Sequence, residues 1–516
     1  MTMAGPGNDV VLALDVGTGG ARAVAYALEG QLVAEGAADY PTYYDHATWS
    51  EQDPDAWWSA TLAALQSVCE RLRTLRLNVA AIGLTGQSPT VAPFDAQGRP
   101  LRRGMLYQDN RAVAETAEWI EALGGHAAIH QRTGHDPAAF HIGPKVLWVR
   151  RHEPEVFART ASWLQPRDLV ASRLTGARVT DWSHAGSTLL FDINTRAWAS
   201  DYFAALDLPK ASFPPAVAPW TVIGAVLPEV AGRMGMTGEI PVAIGGADSQ
   251  CCAVGAGALD SSQLSDMAGT STCLNAPVRA PVGDLRISNY CHVVPGWWCT
   301  ELGLNASGAA FAWIARLFAG PGAEPDFAAL EAAATTVDAG SEGLLFLPYL
   351  ADGERFDPTL RGGFCGLSLR HGRGEMTRAV LEGVAFAIRK HLDIMAQAGA
   401  PVGEMRVSGG GARSALWNQI KADVTGVPVV AVASDATSLG VALVAGTAVG
   451  LYPSLAEAAE QCVRIGQRYE PDSRSRARYD ERYARFRELA RATAEAPSQP
   501  SQPSQPSQPS QPSQPS

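Results

Sequence analysis

Lysine is scarce in this 516-residue chain, since only four occur and arginine carries most of the positive charge. Asp and Glu together number 52 against 41 Lys and Arg, so the formal net charge is −11. A cationic field over the whole protein is therefore absent, which argues against binding to nucleic acid or to an anionic membrane surface. With 46% hydrophobic and 18% charged residues, the composition is that of a globular protein with large buried cores.

The eight cysteines form no C-x-x-C pair and no Cys/His cluster with zinc-like spacing. In a chain of this length they are typical of reduced thiols in a cytoplasmic protein. Residues 1–10 lack the basic and long apolar stretches of an export signal. The longest apolar run near the end, 439–451, is short and interrupted by Gly and Thr, so it cannot span a bilayer. These patterns predict a cytoplasmic protein without a membrane partner.

Several familiar catalytic motifs are also missing. No Gly-Lys pair occurs, which excludes a Walker loop. The first glycine-rich turn carries Arg22 where a dinucleotide fingerprint needs its third glycine, and it opens a hairpin instead of a helix. Neither the lysine strand and H-R-D loop of protein kinases nor G-x-S-x-G is found. Any phosphate binding by this chain would therefore require glycine-rich turns of a different kind from these known motifs.

Hydrophobic patterning predicts alternating strands and helices, which is typical of an α/β architecture. Glu29-Gly30 is a two-residue hairpin signal between apolar runs. A strand that runs into a small-residue turn occurs once near the start and again after residue 260, which predicts two similar α/β domains joined near 245–260. We predict strands over 10–16, 79–85, 241–244, 261–267 and 404–408, and helices over 56–74 and 414–425.

Three glycine-rich turns follow predicted strands. The first contains Asp15, Gly17 and Thr18, the second is Gly-Thr-Ser-Thr at 269–272, and the third is Gly-Gly-Gly-Ala at 409–412 before a helix. Glycine amides can cradle phosphate or let a flat ring approach the backbone, and Asp15 is placed to hold hydrated Mg²⁺. Taken singly, each turn is explained equally well by a tight hairpin or by close packing.

An aspartate lies between these turns, in the segment Gly245-Gly246-Ala247-Asp248. Asp248 is either the cap of the following helix or a general base at the strand ends, where α/β folds place their ligands. Three glycine turns with an aspartate between them fit a nucleotide clasped by two domains. That geometry suits phosphoryl transfer, in which catalysis is mostly positioning and charge neutralisation.

In their order, these motifs resemble the FGGY family of carbohydrate kinases, within the actin-like ATPase superfamily, and most of all its xylulokinase branch. The likeness runs from about residue 9 to residue 485. The motifs that carry it are 14–18 (LDVGT), 49–54 (WSEQDP), 86–87 (GQ), 108–111 (QDNR), 144–148 (PKVLW), 245–248 (GGAD), 269–271 (GTS) and 409–414 (GGGARS).

The resemblance implies an α/β fold of two actin-like ATPase (ribonuclease H-like) domains with a cleft between them. An N-terminal FGGY domain over 9–250 would bind the sugar, and a C-terminal FGGY domain over 256–485 would bind the nucleotide. The Pro-Ser-Gln repeats at 497–516 are predicted to be a disordered tail. The implied reaction is ATP-dependent phosphorylation of a small sugar or polyol with Mg²⁺. Family members are often dimers, so a homodimer is favoured.

The resemblance also implies a role for individual residues. Asp248 matches the catalytic base and Asp15 the aspartate near Mg²⁺. Gln87, Ser88 and Asp109, together with Asp248, match positions that bind the sugar. The implied nucleotide-binding residues are Gly17, Thr18, Gly269, Thr270, Gly308, Gly410 and Gly411.

Three positions depart from the family pattern. Pro89 stands where xylulokinases place a histidine that bonds the sugar, and proline offers no donor. Gln108 replaces the usual asparagine before Asp109, as in relatives that use polyols, and Ile142 replaces a small residue. The expected substrate is a ketopentose such as xylulose, phosphorylated on a terminal hydroxyl. Another ketose or polyol (ribulose, a pentitol or a glycerol-like molecule) stays open, as does a non-catalytic sugar- or ATP-binding regulator.

Overall fold

The computed structural model describes residues 8–320, 322–351, 353–354 and 356–495. The predicted tail at 497–516 lies outside the described residues. The strands of the amino-terminal half are β1 (Asp9–Val16), β2 (Gly20–Ala27), β3 (Leu32–Asp39), β4 (Glu51–Gln52), β5 (Asn78–Gly86), β6 (Ala92–Phe94), β7 (Gly104–Met105), β8 (Ser162–Leu164), β9 (Thr180–Asp181), β10 (Phe191–Asp192), β11 (Ala197–Trp198), β12 (Ala216–Val217), β13 (Val222–Ala225) and β14 (Pro241–Ala243). Its helices are α1 (Pro54–Leu75), α2 (Val113–Ala122), α3 (His126–Thr133), α4 (Ile142–His152), α5 (Pro154–Arg159), α6 (Pro166–Thr175), α7 (Trp182–Gly186), α8 (Ser200–Ala205), α9 (Pro228–Met234) and α10 (Asp248–Gly255).

The strands of the carboxyl-terminal half are β15 (Gln263–Ala268), β16 (Thr272–Val278), β17 (Ser288–Cys291), β18 (Trp298–Leu304), β19 (Leu345–Leu347), β20 (Gly363–Cys365), β21 (Glu404–Ser408), β22 (Val429–Val432) and β23 (Ile465–Tyr469). Its helices are α11 (Gly308–Ala319), α12 (Phe327–Thr335), α13 (Arg373–Gln397), α14 (Ala415–Thr425), α15 (Ala436–Ala448), α16 (Leu455–Cys462) and α17 (Ser473–Glu495). Short 3₁₀ helices span Lys210–Ser212, Ser341–Gly343 and Gly410–Arg413.

The two halves share one sheet topology. The amino-terminal sheet has the order β13-β14-β5-β1-β2-β3, in which β1 to β3 form an antiparallel meander and β5 runs parallel to β1. The carboxyl-terminal sheet, β17-β18-β16-β15-β21-β22-β23, repeats this arrangement, with β15 antiparallel to β16 and parallel to β21. The prediction of two similar α/β domains is therefore confirmed.

Local sequence explains the elements that carry the site. The apolar run 10–14 is buried throughout, as expected for a central strand covered on both faces. The β2–β3 hairpin turns at Gly30, whose φ of 82° lies in the left-handed region that glycine adopts readily. Helix α1 begins at Pro54, after the N-cap Asp53, whose side chain accepts the Asp55 amide.

Two helices cross between the halves. Helix α10 follows the amino-terminal sheet and packs against β15 and β16, whereas α15 packs against β1 and β5. The crossing is very close, because a Cβ on Gly440 would lie 1.8 Å from the Cys251 carbonyl oxygen and one on Gly255 equally near the Ala436 carbonyl. A shared hydrophobic core, which includes Val11 and Val441, fills the space around them. The crossing brings the amino-terminal ends of α10 and α15 close to the first glycine turn.

Candidate functional site

The first glycine turn follows β1 and presents Asp15 at the end of the strand. The Gly17 amide donates to the Gly20 carbonyl over 3.0 Å, and the Tyr40 hydroxyl donates to the Gly17 carbonyl. Burial and the negative charges of Asp248 and Asp435 raise the pKa of Asp15 to about 7, against an opposing effect of Arg22. The carboxylates of β1, α10 and the α15 N-cap therefore converge in one place.

Asp248 is the first residue of α10 and is partly exposed. The N-cap position belongs to Ala247, and one oxygen of Asp248 accepts the Ser249 amide over 2.7 Å. Asp248 thus lies in the first turn of the helix, beside the positive end of the helix dipole, and does not serve as the N-cap. Its side chain lies close enough to Asp15 to affect the pKa of that group.

The second glycine turn and the start of α11 form one backbone unit. Gly269 and Thr270 are exposed, while their carbonyls accept the amides of Ser307, Gly308 and Ala309 over 2.9–3.1 Å. A Cβ on Gly308 would lie 2.4 Å from the Gly269 carbonyl oxygen, so this close approach requires glycine. The turn therefore lies at the amino terminus of α11, whose positive dipole end favours a nearby anion.

The third glycine turn lies beside the second, over the end of β15. Gly409 has a φ of 79°, and a Cβ on Gly411 would lie 2.6 Å from the Cβ of Ala268. Gly410 is exposed, and a Cβ there would meet no protein atom within 4 Å. The structure therefore brings both turns of the carboxyl-terminal half to one edge of its sheet, and their binding of a nucleotide remains a prediction.

Gln87, a predicted sugar-binding residue, is buried and hydrogen-bonds to the backbone of the first glycine turn. It is 1% exposed, and its amide nitrogen donates to the Gly17 carbonyl over 3.2 Å and to Gln52 Oε1 over 2.9 Å. Gln52 in turn donates to the Thr18 carbonyl over 2.7 Å. Sequence reasoning placed Gln52 in a family motif but gave it no role, whereas the structure ties it to the backbone of the turn.

Ser88, which follows Gln87, is half-buried and joins a hydroxyl network. Its Oγ lies 3.0 Å from Gln165 Oε1 and 2.9 Å from Ser187 Oγ. The network connects the segment after β5 with α6 and with the end of α7. Ser88 is therefore less enclosed by the protein than Gln87 and Asp109.

Asp109 is fully buried and its two carboxylate oxygens are already bonded. Arg111 donates to Oδ1 over 2.9 Å and to Oδ2 over 2.6 Å, and the Ser50 amide donates to Oδ2 over 2.8 Å. The Arg111 guanidinium also lies over the Trp49 ring, 3.7 Å from its centroid. This arrangement holds Asp109 rigidly, and its role toward the sugar remains a prediction.

Lys145 connects the two segments that contain these residues. Its Nζ is buried and donates to the Leu106 carbonyl over 2.6 Å and to the Pro89 carbonyl over 3.4 Å. Burial lowers the pKa of Lys145 to about 7, against the stabilising charge of Asp109. The PKVLW motif was the available signal, although it did not show which loops the amine would bind.

The structure also contains a long-range ion pair that the sequence did not predict. Arg22 of β2 donates to Asp435, the N-cap of α15, and to Glu35 of β3 over 2.6 Å. Arg22 and Asp15 are paired across β1 and β2, so their side chains share one face of the sheet. The pair joins the two halves beside the converging carboxylates.

The carboxylate environment of Asp15 fits a cation. Its Oδ1 is buried and has no hydrogen-bond partner among the described protein atoms. Burial, followed by the negative charges of Asp248 and Asp435, raises the pKa of Asp15, and a bound cation would favour the ionised carboxylate. Carboxylate oxygens suit Mg²⁺, which proteins commonly hold through one or two carboxylates together with substrate phosphates and water.

The two-domain fold, with glycine turns at the strand ends of both halves, defines a phosphotransferase of the sugar kinase class. The model of the FGGY carbohydrate kinase N-terminal domain matches residues 10–255, and that of the C-terminal domain matches 265–449. This chain belongs to the FGGY family of carbohydrate kinases. Among the part of the chain that the structure describes, no helix has the length and apolar character to cross a membrane.

Individual relatives support the same assignment. The xylulose kinase of Escherichia coli (strain K12) is 34% identical over 485 residues, which cover 93% of this chain and 98% of that relative. A glycerol kinase of Bordetella parapertussis is 31% identical over 480 residues, 87% of this chain and 91% of that relative. The crystal structure of xylulose kinase from Rhodospirillum rubrum has a TM-score of 0.86 at 32% identity, covering 94% of this chain and 98% of that one. The chain is therefore a sugar kinase that uses ATP as co-substrate.

Proposed function

We propose that this kinase transfers the γ-phosphoryl group of ATP to a terminal hydroxyl of a ketopentose, with xylulose as the first candidate. The proposal is carried by the convergence of Asp248 on the Asp15 turn. Relatives named xylulose kinases at 34% and 30% identity over more than nine tenths of the chain favour xylulose among the ketopentoses.

In the proposed mechanism, Asp248 accepts the proton of the sugar hydroxyl while its oxygen attacks the γ-phosphorus. The O–H bond breaks, a new O–P bond forms, and ADP leaves with the electrons of the old P–O bond. The sugar lies against Gln87, Ser88 and Asp109. Hydrogen bonds from neighbouring protein groups hold each of the three side chains in place, which would fix the orientation of the sugar before reaction.

The nucleotide contacts are proposed for the glycine turns, whose residues range from exposed at Gly269 and Gly410 to buried at Gly411. The phosphates would lie against the turns that contain Gly17 and Thr18 and Gly269 and Thr270, beside Gly308, with the adenosine against Gly410 and Gly411. Mg²⁺ held at Asp15, when bound, would neutralise charge on the phosphates. Closure of the two halves excludes water, which otherwise competes with the sugar as nucleophile.

A panel assay tests the substrate. ADP release is measured over pentuloses, pentitols, hexuloses and glycerol at saturating ATP. We expect the highest kcat/KM for a ketopentose, and equal activity on all members or none would contradict the proposal.

A second candidate, a kinase of another ketose or polyol, is favoured by Pro89. A proline at this position has no side-chain donor, and its buried carbonyl is bonded to Lys145. A buried hydroxyl without a hydrogen-bond partner costs about 1–3 kcal/mol. A pocket with Pro89 on its surface would therefore bind less tightly a sugar whose hydroxyl needs a donor at that position. The variant Pro89→His should raise kcat/KM for xylulose if this wall limits its use, and an unchanged value would remove the argument.

We also propose a cytoplasmic homodimer, on the family resemblance. Light scattering of the purified full chain during size exclusion tests the assembly, for which a mass of twice the 54.4 kDa chain is expected.

A further inference from the structure

The segment that leads into Asp248 is bonded at nearly every peptide group. Thr85 Oγ1 donates to the Gly246 carbonyl over 2.8 Å, and the Gly245 amide donates to the Pro219 carbonyl over 2.9 Å. The Ala247 amide donates to Ser183 Oγ over 2.9 Å. A Cβ on Gly246 would lie 2.3 Å from Val293 Cγ1. The backbone immediately before the proposed base is therefore held from several sides.

A buried carboxylate organises two of these contacts. Asp181 Oδ2 accepts the Ser183 hydroxyl over 2.5 Å, which directs the oxygen lone pairs of Ser183 toward the Ala247 amide. Asp181 Oδ1 accepts Arg167 Nη2 over 2.8 Å, and Nη1 of the same arginine donates to the Ile244 carbonyl over 2.6 Å. Asp181 thus reaches the segment by two routes, through a hydroxyl and through a guanidinium.

Asp181 lies in a buried cluster of charged and polar side chains. Asp181 and Arg167 are both fully buried, and His184 Nδ1 lies 2.7 Å from Asp181 Oδ1. Asp168 also pairs with Arg167 Nη2 over 2.9 Å. Burying such a group is costly and adds little to stability compared with an apolar core, so a role in fixing geometry is a better physical explanation.

Resting on the proposed role of Asp248 as the base, we infer that Ser183, oriented by Asp181, is a positioning residue for catalysis, which acts through the Ala247 amide on the segment 244–247. Ser183 is fully buried, so its effect on the reaction is indirect. Its effect is to fix the direction in which Asp248 leaves the start of α10. A misplacement of about 1 Å at a reacting group can lower the rate about 10²-fold, so the contact matters to turnover more than to binding.

The first test compares two deletions of a buried hydroxyl. Ser183→Ala removes the acceptor of the Ala247 amide. Thr61→Val is the matched control, because Thr61 Oγ1 is buried and, among the described residues, bonds only to the Trp57 carbonyl of its own helix, over 2.7 Å. We expect kcat of Ser183→Ala to fall ~10–10²-fold with both KM values within about twofold of the wild type. Thr61→Val should keep the wild-type kcat.

A measurement without turnover accompanies the kinetics. Hydrogen exchange of the peptide that contains 244–250 should become faster in Ser183→Ala and stay unchanged in Thr61→Val, because only the first variant frees the Ala247 amide. If Ser183→Ala does not fold, Ser183→Cys keeps a weak acceptor of similar size, and its kcat should lie below that of the wild type.

The outcomes separate this inference from the proposed function. A wild-type kcat in folded Ser183→Ala, when Asp248→Asn is inactive, overturns the positioning role and leaves the base assignment intact. A fully active Asp248→Asn overturns both. Slow turnover and fast exchange in Ser183→Ala, with Asp248→Asn inactive, support the inference.

Discussion

The two sides of the proposed cleft differ in whether backbone or side chains form the predicted contacts. On the nucleotide side, most of the predicted contacts are glycines of the turns, which are exposed at Gly269 and Gly410 and buried at Gly411. On the sugar side, Gln87 is 1% exposed and Asp109 is fully buried, and both are hydrogen-bonded to other protein groups.

This difference follows from what each side must recognise. Backbone amides can bind the phosphates of any nucleotide, since they point into a concavity without regard to side-chain identity. A small sugar is distinguished only by the directions of its hydroxyls, which requires side chains with fixed rotamers. Substitutions on the sugar side should therefore lower both stability and sugar affinity. Substitutions of glycine on the nucleotide side should have effects that depend on whether the added Cβ has room beside the backbone.

The largest expected effect falls on the residue between the two sides. Asp248→Ala removes the proposed base, and kcat should fall at least ~10²-fold because a positioned base contributes about that much. The Kd for the sugar should stay within about threefold, since Asp248 is one of several contacts. Steady-state kinetics with calorimetric sugar binding measures both, and normal turnover would refute the base assignment.

The next prediction tests whether the sugar side is coupled to folding. Asp109→Ala removes one of the two carboxylates that pair with the buried Arg111 guanidinium, the other being that of Glu51. Loss of these charged hydrogen bonds should lower the free energy of unfolding by about 1.5–3 kcal/mol. The KM for the sugar should rise while the KM for ATP stays constant. Denaturant unfolding and steady-state kinetics measure the two effects.

An almost identical ion pair on the surface supplies the control. Asp284 accepts Arg286 Nε over 2.9 Å and Nη2 over 2.6 Å, with the same sequence spacing as Asp109 and Arg111. Both side chains are partly exposed, so Asp284→Ala should cost less than about 1 kcal/mol. Equal losses of stability in the two variants would contradict the importance of burial on the sugar side.

Local patterns predicted most of the elements that carry the site. The strand at 404–408 was predicted with the bounds that the structure shows, and the helix predicted at 56–74 spans Pro54–Leu75 because proline is well suited to the first helical position. The turns after β1, β15 and β21 were likewise found where glycine clusters follow apolar runs. These features depend on neighbouring residues, which is why the sequence alone sufficed.

Contacts between distant segments were not predictable in the same way. The pair of Arg22 with Asp435 joins residues 413 positions apart, and the Arg167–Asp181 pair depends on how α6 packs against β9. The run 439–451 was recognised as apolar, but its periodicity did not show that α15 would pack on the sheet of the other half. Side-chain roles such as those of Gln52 and Lys145 depend on this three-dimensional packing.

A pair of glycine variants tests the backbone character of the nucleotide side. Gly308→Ala would force a Cβ to within 2.4 Å of the Gly269 carbonyl oxygen, so it should cost about 1–3 kcal/mol and raise the KM for ATP. Gly410→Ala meets no protein atom within 4 Å and should leave stability unchanged. A raised KM for ATP in Gly410→Ala would support the adenosine contact there, and an unchanged one would remove Gly410 from the predicted contacts.

The smallest effect is a pH dependence on the sugar side. Because burial lowers the pKa of Lys145 to about 7 from its ordinary value of 10.5, the unfolded chain binds a proton between these values that the folded chain does not. Stability therefore rises with pH in this window, by about 1 kcal/mol between pH ~7 and ~8. Asp109 and Arg111 are the charged groups that act on the amine.

The difference in unfolding free energy between the wild type and Lys145→Met should grow by this amount, about 1 kcal/mol, in favour of the wild type between pH ~7 and ~8, because the titrations of all other groups cancel. A constant difference would mean that Lys145 stays protonated, and that the sugar side holds a buried charge instead of a neutral amine.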